Sequence, residues 1–157
     1  MANNKDFKVK NGIQPTVYNE GVGTVTSGSV GYSISSAVYD NKSFDVSTQE
    51  TGTTGIFLKP DGTKVYIIGF TGDDVNEYDL STAYDITTAS FNQNFSVSGQ
   101  VTSPRQVFFK SDGSIMYVLG ATNNTVYQYT LSTAWDISTA SYASKSFNTG
   151  SQDTAPV

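Results

Sequence analysis

The side chains able to do chemistry in this chain are carboxylates, amides, hydroxyls, lysine amines, one guanidinium and aromatic rings. Its 157 residues include no His and no Cys. That excludes a serine–histidine or cysteine nucleophile, an imidazole or thiolate metal site and a disulfide frame. The densest remaining group is Asp73-Asp74-Val75-Asn76-Glu77-Tyr78-Asp79. Oxygen-rich clusters hold Ca²⁺, but the spacing is not that of a calcium loop. The corresponding residues 51 positions later, Asn124, Thr125, Gln128 and Thr130, are neutral. The stretch reads as a solvated turn and strand face. Two further acids, Asp85 and Asp136, recur in an Ala-aromatic-Asp-Ile pattern. Each is expected to accept backbone hydrogen bonds that shape a connection. Glycoside hydrolysis needs two carboxyls at a set separation across a pocket, and no feature of the sequence supplies one. The adjoining rings of Tyr84 and Trp135 would either stack on a sugar face or plug the space between neighbouring sheets, and the plug is the favoured role. If a glycan is bound, Tyr84, Asp85, Trp135 and Asp136 are the candidates to hold it. No enzyme activity, cofactor or metal is expected.

The elements that position these residues come from an internal repeat. Phe57-Leu58-Lys59-Pro60-Asp61-Gly62 aligns with Phe108-Phe109-Lys110-Ser111-Asp112-Gly113. Leu80-Ser81-Thr82-Ala83-Tyr84-Asp85-Ile86 aligns with Leu131-Ser132-Thr133-Ala134-Trp135-Asp136-Ile137. Between residues 55–90 and 106–141, 18 of 36 positions are identical, far above chance. Each unit reads as four strands. In the first they are Ile56–Lys59, Lys64–Phe70, Val75–Leu80 and Phe91–Val97. A Pro-Asp-Gly turn, with Gly free to take positive φ, follows the first strand. Val75 shares a strand face with Glu77 and Asp79, so the alternation there is imperfect. Tyr66, Tyr78, Tyr117 and Tyr129 are expected in the core. Four strands in successive hairpins over about 50 residues match a propeller blade in size and order. A β-solenoid or a sandwich explains the repeat less well. Tyr39-Asp40-Asn41-Lys42-Ser43-Phe44 resembles Tyr142-Ala143-Ser144-Lys145-Ser146-Phe147, so an extra outer-strand segment precedes the first unit.

The expected fold is all-β: an extended arm over 1–36, an outer-strand half repeat over 37–54, and two four-stranded antiparallel propeller-like blades over 55–104 and 105–157. Two blades do not close a ring. The chain would be part of a longer propeller, share a ring with copies of itself, or pack its two meanders face to face. A ring of two-blade chains would carry one outer strand too many, which favours a longer parent chain unless that strand swaps or feeds the N-terminal segment. Arg105, the one Arg, sits where the units meet and is expected to pair with an acid on a neighbouring blade.

Composition agrees with strands and turns: 13% aromatic, ten Tyr, nine Phe and 14 Gly. Charged residues are 15%, with a net charge of -5, which argues against nucleic-acid binding. No run of about 20 apolar residues is present to span a membrane. The N-terminus lacks an apolar h-region, so synthesis in a cytoplasm without a signal peptide is expected.

Lys5-Asp6-Phe7-Lys8-Val9-Lys10-Asn11-Gly12-Ile13 resembles the short leader of tail-fibre and related appendage proteins of tailed bacteriophages, especially those of aquatic cyanobacteria. Lys59-Pro60-Asp61-Gly62-Thr63-Lys64-Val65-Tyr66 and the Leu131–Ile137 segment resemble propeller repeats of phage and bacterial surface proteins. Ser111 departs from that pattern where Pro60 keeps it. The resemblance implies a virion protein attached through Phe7, Val9 and Ile13. Its implied partners are other virion proteins, further copies of itself as a trimer, and a host-surface glycan. A free carbohydrate-binding oligomer and a fragment of a propeller lactonase or glycosidase are the alternatives.

Overall fold

A computed structural model describes residues 37–153. Phe7, Val9, Ile13 and the rest of the expected attachment arm lie outside the described residues. Each repeat unit folds into one four-stranded antiparallel meander. The first contains β1 (Thr53–Leu58), β2 (Lys64–Gly69), β3 (Asp74–Leu80) and β4 (Ala89–Ser96). The second contains β5 (Pro104–Phe109), β6 (Ile115–Gly120), β7 (Thr125–Leu131) and β8 (Ala140–Asn148). The two sheets are propeller-like blades in the order the repeat requires.

Local chemistry fixes the hairpins. Gly62 and Gly113 take φ of 73° and 74°, a region that favours glycine. The preceding Asp61 and Asp112 accept from the backbone amides of Thr63 and Ser114, both at 3.0 Å. Replacing Pro60 by Ser111 leaves this turn unchanged. β2 and β6 run through the middle of their sheets and supply β-branched and aromatic side chains to both faces.

The blades pack through one apolar seam. Tyr66, Ile68 and Val75 of the first blade join Val107, Phe109, Met116, Val118, Tyr129 and Leu131 of the second in a single buried cluster. Burying such a side chain contributes roughly 1.5–3 kcal/mol relative to exposure. The seam therefore outweighs the surface ion pairs, worth roughly 0–1 kcal/mol each. The opposite face of the first blade carries a smaller cluster, Val65, Ile67, Tyr78 and Leu80, covered by Val46.

Residues 37–52 form no strand, although Tyr39–Phe44 resembles one. A strand needs an edge to pair with, and β4 already holds the outer edge of β3.

Candidate functional site

The two Ala-aromatic-Asp-Ile connections are built alike, one per blade, and are not brought together. Tyr84 and Trp135 adopt left-handed φ of 63° and 68°. Their rings fold back over Gly62 and Gly113, where a Cβ would collide with the ring. The glycines are thus needed twice, for the turn and for the ring above it. Tyr84 also donates its hydroxyl to the Pro60 carbonyl. Asp85 and Asp136 cap short 3-10 turns, accepting from Thr87 N at 3.1 Å and Ser138 N at 3.0 Å. Both carboxyls are held below the usual range. The Lys42 ammonium and Thr87 hydroxyl hold Asp85 there, and the Ser138 hydroxyl and Gln93 amide hold Asp136.

Exposure separates the two rings. Trp135 stacks on Phe57 with centroids 6.2 Å apart and 20° between planes, and Phe109 lies 5.5 Å away. Lys59 Nζ sits 5.7 Å from its ring centre, and Tyr66 donates its hydroxyl to the Trp135 carbonyl at 2.6 Å. This indole fills the space between the blades. Tyr84 has no such cover and is 59% exposed.

The apolar seam also holds one buried carboxylate, and the sequence reading of it needs correction. Glu77 does not belong to a solvated face; it is fully buried. Its two oxygens accept from Lys64 Nζ at 2.5 Å, Asn92 Nδ2 at 2.9 Å, Gln93 Nε2 at 3.1 Å and the Ile137 amide of the second blade at 3.3 Å. Asp74, also buried but on the opposite face of β3, accepts from Asn76 Nδ2 at 2.8 Å and Asn94 Nδ2 at 2.7 Å. The imperfect alternation of Val75 with Glu77 was the available signal: an acid on an apolar face needs buried partners. The carboxylate has four donors and is occupied as a structural acceptor. Burial and the nearby Glu77 and Asp79 charges push the Tyr66 phenol far above its ordinary value, so it stays neutral and donates.

Glu50 was not singled out from sequence. It is buried and accepts from three backbone amides, Gly52 at 2.6 Å, Gly72 at 3.1 Å and Thr71 at 3.3 Å. Burial raises its pKa, but these amides more than offset that and hold it below the usual range. Its counterpart in the second blade is Val101, so no repeat pattern marks it. Arg105 makes no ion pair among the described residues, and its Nε is buried without a hydrogen-bond partner. The expected pairing with an acid is not formed. Among the described residues no three acids lie close enough to hold a metal ion.

Residues 41–50 repeat on the first blade what the end of β4 does on the second. Lys42 Nζ reaches Asp85 at 2.9 Å, as Gln93 Nε2 reaches Asp136 at 2.8 Å. Phe44 meets Tyr78 edge-on at 5.3 Å, as Phe95 meets Tyr129 at 5.6 Å. The Tyr78 hydroxyl donates to Gln49 at 3.4 Å, as that of Tyr129 donates to Gln100 at 3.0 Å.

No protein-family model and no curated protein matches the chain. Among solved structures, it is similar to a functionally unknown protein from Desulfotomaculum acetoxidans. The two are 20% identical with a TM-score of 0.46, over 61% of this chain and 27% of that one. It is also similar to a protein of Bacteroides uniformis provisionally named a 6-phosphogluconolactonase. Those two are 12% identical with a TM-score of 0.47, over 61% of this chain and 26% of that one. The matched part is about a quarter of each of those proteins.

Proposed function

We propose that the chain is a structural, non-enzymatic subunit of a tailed-bacteriophage virion. It would be a tail-fibre or other appendage protein, held to the particle by its N-terminal segment and presenting the blades for assembly or host-surface recognition. The observation that carries this reading is the Lys5–Ile13 leader set ahead of a repeated blade unit. The blade chemistry fits the role. Glu77, Asp136 and Tyr66 are spent on holding the blades together, and the accessible surface includes apolar sheet face and the Tyr84 ring. Such surfaces bind by shape.

Mass spectrometry of purified particles of the encoding virus should find the chain. Antibodies against the blades should label an appendage in electron micrographs, and deletion of residues 2–36 should remove the label. Purified particles that lack the chain overturn the reading. A free lectin is the second reading, favoured only by the exposed ring of Tyr84 beside Asp85. Specific hits on a glycan array, lost in Tyr84→Ala, would put that reading first.

A further inference from the structure

We propose that the blade pair closes head to tail on a second copy of this chain. Strands β5–β7 of one copy seat on the first blade of the next, and residues 40–46 of that next copy supply the outer strand. The inference concerns the blades alone and stands whether or not the chain is carried on a particle.

The seam within the chain is the template. One half of it is the first-blade face bearing Phe57, Tyr66, Ile68 and Val75. The same face of the second blade bears Phe108, Tyr117, Leu119 and Val126, and at its β5 edge Phe57 meets Phe108 edge-on with centroids 5.5 Å apart. Tyr66, Ile68 and Val75 are buried, whereas their counterparts are half-exposed and Phe108 is 58% exposed. An open depression of about 160 Å³ lies between this face and β8, lined by Tyr117, Val126, Gln128, Lys145, Ser146 and Phe147.

The other half is the second-blade face bearing Val107, Phe109 and Trp135. Its first-blade counterparts are Ile56, Leu58 and Tyr84. Val107 and Phe109 are buried, but Ile56 is 58% exposed and Leu58 is also exposed. A cavity of about 330 Å³ opens beside Ile56, Ile67, Phe44 and Val46. These two faces, the first blade's bare at Ile56, Leu58 and Tyr84, are the two halves of one interface that the chain already makes once. Seating one on the other places Phe108 over Tyr84 as Phe57 lies over Trp135. It brings the Tyr117 hydroxyl to the Tyr84 carbonyl as Tyr66 meets that of Trp135. Soluble monomers rarely leave such contiguous apolar faces bare.

Residues 41–50 decide how many strands the neighbour brings. They hold the outer-strand contacts to Asp85 and Tyr78 already, so the seat lacks three strands and not four. Their shape matches β8 in particular. Asn41 is left-handed with φ of 61°, and its counterpart Ser144, at the irregularity where β8 pairs with β7, has φ of 56°. Residues 40–46 form no strand and have no ladder partner among the described residues. In the closed assembly they pair with the edge of the neighbour's β7 in place of its own β8. A contact of this heterologous kind forms a ring when the rotation closes. Propellers of roughly four to eight blades correspond to about two to four copies.

Light scattering of the full chain is expected to give one discrete mass of several chains. Ile56→Asp and Phe108→Asp alter exposed side chains on opposite halves of the contact. Each variant should melt cooperatively and fall to the mass of one chain. Mixed in equal amounts they can form one intact contact and no more, so the mixture should show the mass of two. A monomeric parent chain, a single variant that keeps the parent mass, or a mixture that stays monomeric overturns the proposal. Strand exchange is read separately. The register pairs Gln128 with Lys145, the counterpart of Lys42. A Lys42→Cys, Gln128→Cys chain, otherwise free of Cys, should oxidise into covalent multimers. Only single-chain bands would overturn the exchange.

Discussion

The Tyr66 hydroxyl donates to the Trp135 carbonyl at 2.6 Å, tying the central strand of one blade to the long connection of the other across 69 residues of sequence. The same connection receives the Glu77 carboxylate through the Ile137 amide. The seam thus joins an apolar cluster to directed hydrogen bonds, Gln93 Nε2 to Asp136 at 2.8 Å among them. Apolar packing supplies most of the adhesion, and the hydrogen bonds set the register of the blades.

Tyr66→Phe removes one donor and strands a carbonyl in the seam. An unsatisfied buried acceptor costs roughly 1–3 kcal/mol. The unfolding midpoint in urea should drop accordingly, with the slope unchanged.

Glu77→Gln should destabilise by a comparable amount, because Lys64 loses its better-buried partner. The second blade carries Ile115 and Gln128 at the positions of Lys64 and Glu77. Lys64→Ile together with Glu77→Gln copies that pair. The double variant should therefore be less destabilised than the two single effects summed, a coupling measurable in a double-mutant cycle.

Trp135→Ala empties a space between the blades and should cost about 3–5 kcal/mol. Tyr84→Ala removes an exposed ring and should cost the single chain far less. Equal losses in thermal unfolding of the monomeric Phe108→Asp background would contradict the difference in their surroundings.

Stability should fall at both ends of the pH range. Glu50 and Asp61 have folded pKa values below their unfolded ones, with Asp61 held at about 2 by Lys59 and Thr63. Their contribution is present above the unfolded value, roughly 4, and is lost as pH falls through the folded one. Glu50→Gln should flatten the acid limb. Tyr66 and Tyr129 are raised, chiefly by burial. Their contribution is complete below about 10 and is lost as pH rises toward the folded value. Tyrosinate absorbance should therefore show late-titrating groups that ionise together with unfolding.

Much of this architecture can be read from one dimension. The 51-residue repeat places all eight strands, because identical turns and identical apolar positions imply identical hairpins. The Asp-Gly turns and the capping roles of Asp85 and Asp136 depend on neighbours within three residues, so they are legible too. The buried acids are not. Glu77 is satisfied by Ile137, 60 residues away, and a carboxylate on an isolated strand looks solvent-facing until the second sheet is in place. Glu50 is satisfied by amides that converge only after β2 turns into β3. The 37–54 segment looked like a strand because its side chains are those of β8. Its conformation without a ladder shows that side-chain pattern alone does not supply an edge.

The lid of Tyr84 over Gly62 closes within a single blade, and so does that of Trp135 over Gly113. Each meander can therefore complete its own hairpins as it leaves the ribosome, before the other exists. The first blade emerges after residues 41–50, which shield part of its outward face from the start. Its other face waits, bare, until β5–β7 have been synthesised. That interval is the stretch of biogenesis most exposed to mispairing, and slowing translation beyond residue 100 should lower the yield of soluble chain.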